Sequence, residues 1–251
     1  MTNLILNEPA QPYKPFLGST IEQMPKLIEE GRVPISIAGL MQRRLDVLNS
    51  DVSQSVRDEW WNTPYVNTGD AAAYDMKGNM KVVLDAQHLR ELTPNSNLQN
   101  GALILPEGTY TDLQGSNVAE FTKEQLTQYT RKWLTKGQSV DNPIWLAFAR
   151  GDTALLSEYG DAAFARAKEF GYDTTMCIFP ALPKDKETMQ LWCLGKTYYN
   201  QSYAIGDSSL DDYDSRLVGV APKAQILQKI ASPNESAIVA PTLEEVLALR
   251  R

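Results

Sequence analysis

Residues 197–216 read TYYNQSYAIGDSSLDDYDSR. This segment holds four of the chain's 11 tyrosines in 20 of its 251 residues, so Tyr is more than fourfold enriched. Four serines (Ser202, Ser208, Ser209, Ser215) and four aspartates (Asp207, Asp211, Asp212, Asp214) accompany Tyr198, Tyr199, Tyr203 and Tyr213. Lys, Glu, Met and Trp are absent, and Gln occurs once, at Gln201. Tyr offers a large, stiff, amphipathic contact at low entropic cost, and Ser, Asn and Gly add adaptable hydrogen bonds, as in antibody loops. The same composition also suits an ordinary polar surface loop, because Asp, Ser and Gly are turn formers. The frame favours a binding surface. Two apolar segments, Met189–Gly195 and Leu217–Val220, read as strands on either side and pin the ends of the polar run to a scaffold.

The missing residue types point further. Random replacement of the adenines in an AAC or AAT codon yields Tyr, Asn, Asp, Ser, Gly, Ala, Ile and Thr, but never Lys, Glu, Gln, Met or Trp. That is the footprint of adenine-directed mutagenesis in diversity-generating retroelements. The run from Met189-Gln190-Leu191-Trp192 to Arg216-Leu217-Val218-Gly219-Val220-Ala221-Pro222 resembles the variable region of archaeal retroelement variable proteins. Asn142-Pro143-Ile144-Trp145-Leu146-Ala147 and Phe170-Gly171-Tyr172-Asp173 resemble the same group. The resemblance spans residues 12–222 loosely and 142–222 best.

It implies a C-type lectin-like fold of the α+β class, with a small antiparallel sheet, flanking helices and long irregular loops. The variable side chains are then displayed near the C-terminal end of the domain. By the resemblance, the scaffold positions are Trp192, Gly195, Ser202, Ala204, Gly206, Leu210 and Arg216. The diversified, ligand-binding positions are Cys193, Tyr198, Tyr199, Asn200, Tyr203, Ile205, Asp207, Ser208, Ser209, Asp211, Asp212, Tyr213, Asp214 and Ser215. One departure is that about thirty residues follow Val220, so the variable region does not end the chain.

Upstream, Pro9, Pro12 and Pro15 read as an extended lead-in. Ser19 and Glu22 form a capping-box pattern before a helix that Gly31 ends. A second helix is expected over Ser36–Leu48, with Leu40, Met41, Leu45 and Leu48 inward and Arg43 and Arg44 outward. A third, Ser53–Trp61, carries the Trp60–Trp61 pair. The Lys77-Gly78-Asn79 turn leads into a strand over Met80–Asp85, and Ala102–Leu105 reads as another. Thr122 and Gln125 open a helix with Leu126, Tyr129 and Trp133 on one face and Gly137 as its stop. Asn142-Pro143 starts a short helix, Asp152 caps one ending at Gly171, and Thr175–Phe179 reads as a strand. Elements do not alternate as in a parallel sheet, which supports α+β. The division expected is helices packed on the domain over 1–62, the lectin-like domain over 63–222 with its variable region about 192–216, and a tail over 223–251 with a short helix at Leu243–Leu249.

Net charge is −7, so a broad nucleic-acid surface is not expected. Apolar runs such as Ile144–Ala149 are too short to span a bilayer, and Met1–Lys14 shows no secretory signal. A cytoplasmic or virion-associated setting is therefore expected. Cys177 and Cys193 read as buried free thiols. With a single histidine, His88, no His-rich metal site can assemble, and no phosphate loop or Gly-x-Ser-x-Gly elbow is present. No cofactor and no catalytic residue are assigned.

The function these features support is a monomeric, non-enzymatic protein that binds a protein or other macromolecule through a hypervariable surface. Two rivals remain open. One is a hydrolase or glycan-processing enzyme using the Asp207–Asp214 carboxylates with His88 or Tyr199, a cluster whose spacing lacks the Gly and Glu of an EF-hand but leaves partial calcium binding open. The other is a virion structural subunit.

Overall fold

The computed structural model describes residues 12–182, 185–196 and 201–221. It begins with strand β1 (Tyr13–Leu17), where the prolines read as a lead-in. Proline cannot donate to a central ladder but is tolerated at a sheet edge, and β1 is an edge strand. Helix α1 (Thr20–Glu29) ends at Gly31, whose φ of 67° suits only glycine without strain. The Ser19–Glu22 box does not form, because the Ser19 side chain makes no cap bond and lies buried without a partner among the described residues. After the two-residue strand β2 (Val33–Pro34), helix α2 (Ile37–Asn49) starts under Ser36, which accepts the Gly39 N–H at 3.0 Å. Leu40, Met41 and Leu45 are buried on its face as read, but Arg44 points inward with them instead of outward. Helix α3 (Gln54–Asn62) buries Trp60 and Trp61.

The hairpin of β3 (Tyr65–Tyr74) and β4 (Met80–Val83) closes on Asp75, whose carboxylate accepts the Lys77 and Asn79 N–H groups at 2.9 and 2.7 Å. Short elements follow: α4 (Gln87–Arg90), which carries His88, then β5 (Leu98–Gln99), β6 (Ala102–Ile104), α5 (Thr109–Asp112) and β7 (Val118–Phe121). Helix α6 (Lys123–Tyr129) opens with the Thr122–Gln125 box but stops at Thr130; Gly137 lies inside α7 (Lys136–Val140) rather than ending α6. Asn142 caps α8 (Pro143–Phe148) and Asp152 caps α9 (Thr153–Lys168). The remaining strands are β8 (Cys177–Pro180), β9 (Thr188–Lys196), β10 (Ser202–Ser208) and β11 (Arg216–Val220). Strand β10 corrects the reading of 197–216 as one long loop.

Among the described residues, eleven strands join one sheet, whose main path runs β1-β11-β3-β9-β10-β8. It is mixed rather than purely antiparallel, because β10 pairs with β8 and β11 with β3 in parallel. The class is α+β, as expected. Strands β1 and β2 pair with β11, so the described residues before 63 contribute two strands to the sheet. Residues 223–251, with the anticipated helix at Leu243–Leu249, lie outside the described residues.

Alternation along the strands sends side chains to two cores. Trp192, Leu194 and Ala204 join Trp61, Trp145 and Phe148 beneath the helices, while Met189, Leu191 and Leu217 join Phe16, Met24 and Leu27 on the other face. Between the two, the β3 register slips between Asn67 and Ala71, and Asp70 lies fully buried there. Its carboxylate accepts Ile37 N–H at the start of α2 (2.7 Å) and Asp85 N–H (2.9 Å), with the Arg150 guanidinium 3.7 Å away. Burial pushes the Asp70 carboxyl up to about 6, against the opposing pull of Arg150 and the backbone donors.

Candidate ligand-binding surface

Two sets of contacts fix the loop that follows β10. Leu210 is fully buried in the second core, its N–H donating to Gly101 O at 2.8 Å and its carbonyl accepting Ile21 N–H at 3.0 Å. At the far end, Gly18 N–H donates to Ser215 O at 3.1 Å, next to the Leu17–Arg216 pair of the β1–β11 ladder. Between these anchors Asp211, Asp212, Tyr213 and Asp214 are exposed, with Tyr213 at 77 %. Local bonds shape the turn: Ser209 Oγ donates to Asp211 Oδ1 at 2.6 Å, and Asp214 N–H donates to Asp212 Oδ1 at 3.0 Å. Asp207 is exposed, and Ile205, Ser208 and Ser209 are half-buried. The four Asp side chains thus face solvent rather than a cleft. Among the described residues no group of three or more His, Cys, Asp or Glu could hold a metal ion.

Three candidate positions do not face solvent. Cys193 is fully buried in β9, and burial pushes its thiol up to about 12, leaving a neutral, inert sulfur. Cys177 is buried and free likewise. Tyr203 is only 5 % exposed because its ring lies across Gly195, where a Cβ would come within 2.8 Å of the ring. Ser215 is buried at the anchored end of the loop. Outward display therefore fails at Cys193, Tyr203 and Ser215. Tyr198, Tyr199 and Asn200 lie outside the described residues.

Of the positions read as scaffold, all but Arg216 are buried. Trp192 is fully buried, and Gly206 lies against it: a Cβ there would be 2.7 Å from the indole and 2.9 Å from the Tyr74 hydroxyl. Tyr74 in turn donates to Gly206 O at 3.1 Å. Ala204 is fully buried, and Ser202 Oγ is 2.7 Å from Tyr159 OH. Arg216 is half-buried and donates to Thr63 Oγ1 at 3.3 Å.

Several contributors escaped the sequence reading. Gly101, in the left-handed region at φ 74°, gives Ser209 its room, since a Cβ would run into the Ser209 side chain. A glycine after Asn100 signals a turn, but nothing local ties it to a loop a hundred residues on. A row of aromatic rings runs from β3 across β10 to β8 and the segment after α6: Tyr65 to Tyr203 at 6.2 Å, Tyr203 to Phe179 at 6.1 Å and Phe179 to Trp133 at 6.0 Å, all edge-on. Tyr65 is 51 % exposed, so this row reaches the surface beside β10.

No family profile matches the chain, and none of the curated proteins it was compared with does. Among solved structures, it is similar to a Nanoarchaeota protein in which the C-type lectin fold accommodates massive sequence variation. The two share 16 % identity at a TM-score of 0.61, over 86 % of this chain and 99 % of the other. At that identity the likeness speaks for architecture alone, and the fold of this chain is the C-type lectin fold.

Proposed function

We propose that this chain is a binding protein whose exposed β10–β11 surface is diversified by a retroelement reverse transcriptase and engages macromolecular ligands by shape and hydrogen-bond complementarity. The observation that carries this reading is the division of labour in residues 207–216. Leu210, Gly101 and Gly18 hold the loop from buried or main-chain positions, and Asp207, Asp211, Asp212, Tyr213 and Asp214 are left free to change without touching the core. The similarity to a fold that accommodates massive sequence variation in a Nanoarchaeota protein supports it. Binding is favoured over catalysis because exposed loop carboxylates lack the water-excluded surroundings that tune an acid and a base apart.

The test lies in the DNA. A near-copy of the segment encoding Trp192–Val220 beside a reverse-transcriptase gene, differing from it only where the copy has adenine, upholds the reading. Absence of such a copy, with Asp211 and Tyr213 invariant among sister loci, overturns it.

A further inference from the structure

At the end of β9, inside the 192–216 region but at none of its diversified positions, Lys196 meets two further cations, and the three have no ion-pair partner among the described residues. Lys196 Nζ and Arg166 Nη2 both donate to one neutral oxygen, Asn62 Oδ1, at 2.9 and 3.1 Å. Behind them Arg44, 1 % exposed, donates from Nε to Trp60 O and from Nη1 to Tyr159 OH, while its Nη2 finds no acceptor among the described residues. Arg166 Nε is likewise buried and unpartnered among them. Both guanidinium groups lie over the Trp61 ring, at 5.7 Å for Arg44 and 5.3 Å for Arg166.

An amide oxygen carries no formal charge, so two cations sharing one are poorly compensated, and a desolvated guanidinium without an anion is costly. Burial first, then Arg166, holds the Lys196 ammonium below the usual lysine range; Asp58 opposes this and Arg44 adds to it. Lys196, Arg166 and Asn62 are only half-buried, so a small ligand can reach them from solvent.

We propose that Lys196, Arg166 and Asn62, backed by Arg44, bind a doubly charged tetrahedral oxyanion of the phosphate or sulfate class. Two charged donors converging from α9 and the end of β9 match two oxygens of such an anion, and a dianion answers the accumulated charge better than a single carboxylate. The site is built from residues outside the exposed loop and stands independently of the display reading.

Calorimetric titration of the full chain with sodium phosphate, sodium sulfate and sodium acetate at equal ionic strength tests it. Saturable phosphate or sulfate binding with a Kd of about 1 mM, and none for acetate, is expected. Lys196→Gln and Arg166→Gln should each weaken it about tenfold, Lys196→Arg should keep it, and Lys14→Gln on the far edge should leave it unchanged. Circular dichroism of each variant separates lost binding from lost folding, and the wild-type titration decides the matter if a variant unfolds. A glycerol phosphate arm distinguishes sources: binding of inorganic phosphate alone assigns a free anion, binding of both an ester's head group. No saturable heat with phosphate or sulfate, or heat that persists in the Lys196→Gln/Arg166→Gln double variant, overturns the proposal.

Discussion

Strand β10 and the loop after it share one composition and have opposite surroundings. Tyr203 is 5 % exposed and Tyr213 77 %, ten residues apart in the same Tyr, Ser and Asp vocabulary. The difference comes from pairing. Strand β10 is hydrogen-bonded on both sides, to β9 and β8, so its side chains must go under the helices or onto the sheet's other face. The loop is held only at its ends and by Leu210, which leaves the intervening side chains nothing to pack against. Composition therefore sets what chemistry a residue offers, while pairing decides whether a ligand can reach it.

The comparison breaks first at Trp192. Its truncation to Ala should cost about 3–5 kcal/mol, read from urea unfolding, because the indole fills the space beneath Gly206 and meets the Phe148 ring at 4.8 Å. A cost below about 1 kcal/mol would mean that β10 is not packed as described.

Asp70 tests the scaffold that the strand rests on. Its folded value near 6 lies above the unfolded carboxyl near 3.9, so its contribution is full below about pH 4 and is lost as pH rises through 6. The unfolding free energy at pH 7 minus that at pH 4, from urea titrations, should be more positive in Asp70→Asn than in the wild type by an amount on the order of 2–3 kcal/mol. Comparing the two proteins removes the background of the other carboxylates, while Asp85, Arg150 and Arg90 remain in both. An unchanged pH slope would place Asp70 in contact with water.

Cys193→Tyr inserts a favoured display residue at a position with no free space, and should lower stability by about 1–3 kcal/mol. Full stability there would return Cys193 to the displayed set. The smallest stability change belongs to Tyr213→Ala, within about 0.5 kcal/mol by thermal unfolding. Against a partner selected by this surface, the same substitution should weaken binding by roughly thirtyfold, equivalent to about 2 kcal/mol. A large stability loss at Tyr213 would erase the contrast with Tyr203.

Much of the architecture was legible where local chemistry speaks for itself. Thr122 with Gln125, Asn142 before Pro143, and Asp152 all cap the helices they announced. Ser19 has the same pattern with Glu22 but is buried, where tertiary packing overrides the cap. Arg44 was misplaced by its charge, although its spacing from Leu40 and Leu48 puts it on the buried stripe. Strand β10 hides because its inner residues, Ser202, Ala204 and Gly206, are small and give no strong apolar alternation, as the indole of Trp192 against Gly206 and the ring of Tyr159 at Ser202 demand. The exposed turn at 211–214 was visible in composition, as was the buried thiol of Cys193 in its apolar stretch; the burial of Tyr203 was not, because it depends on the pairing of β10 with β9 and β8.

The topology of the sheet also sets an order of events during synthesis. Strand β11 provides the pairing edge for β1 and β2 and meets β3 as well, with Ala221 N–H donating to Pro12 O at 2.7 Å. A growing chain exposes its first strands long before residues 216–220 leave the ribosome, and those five arrive only after the loop. A loop that cannot bring them back leaves β1 and β2 as open edges, the kind of surface that aggregates and draws proteases. A substitution in the loop thus acts first on whether the nascent chain can close.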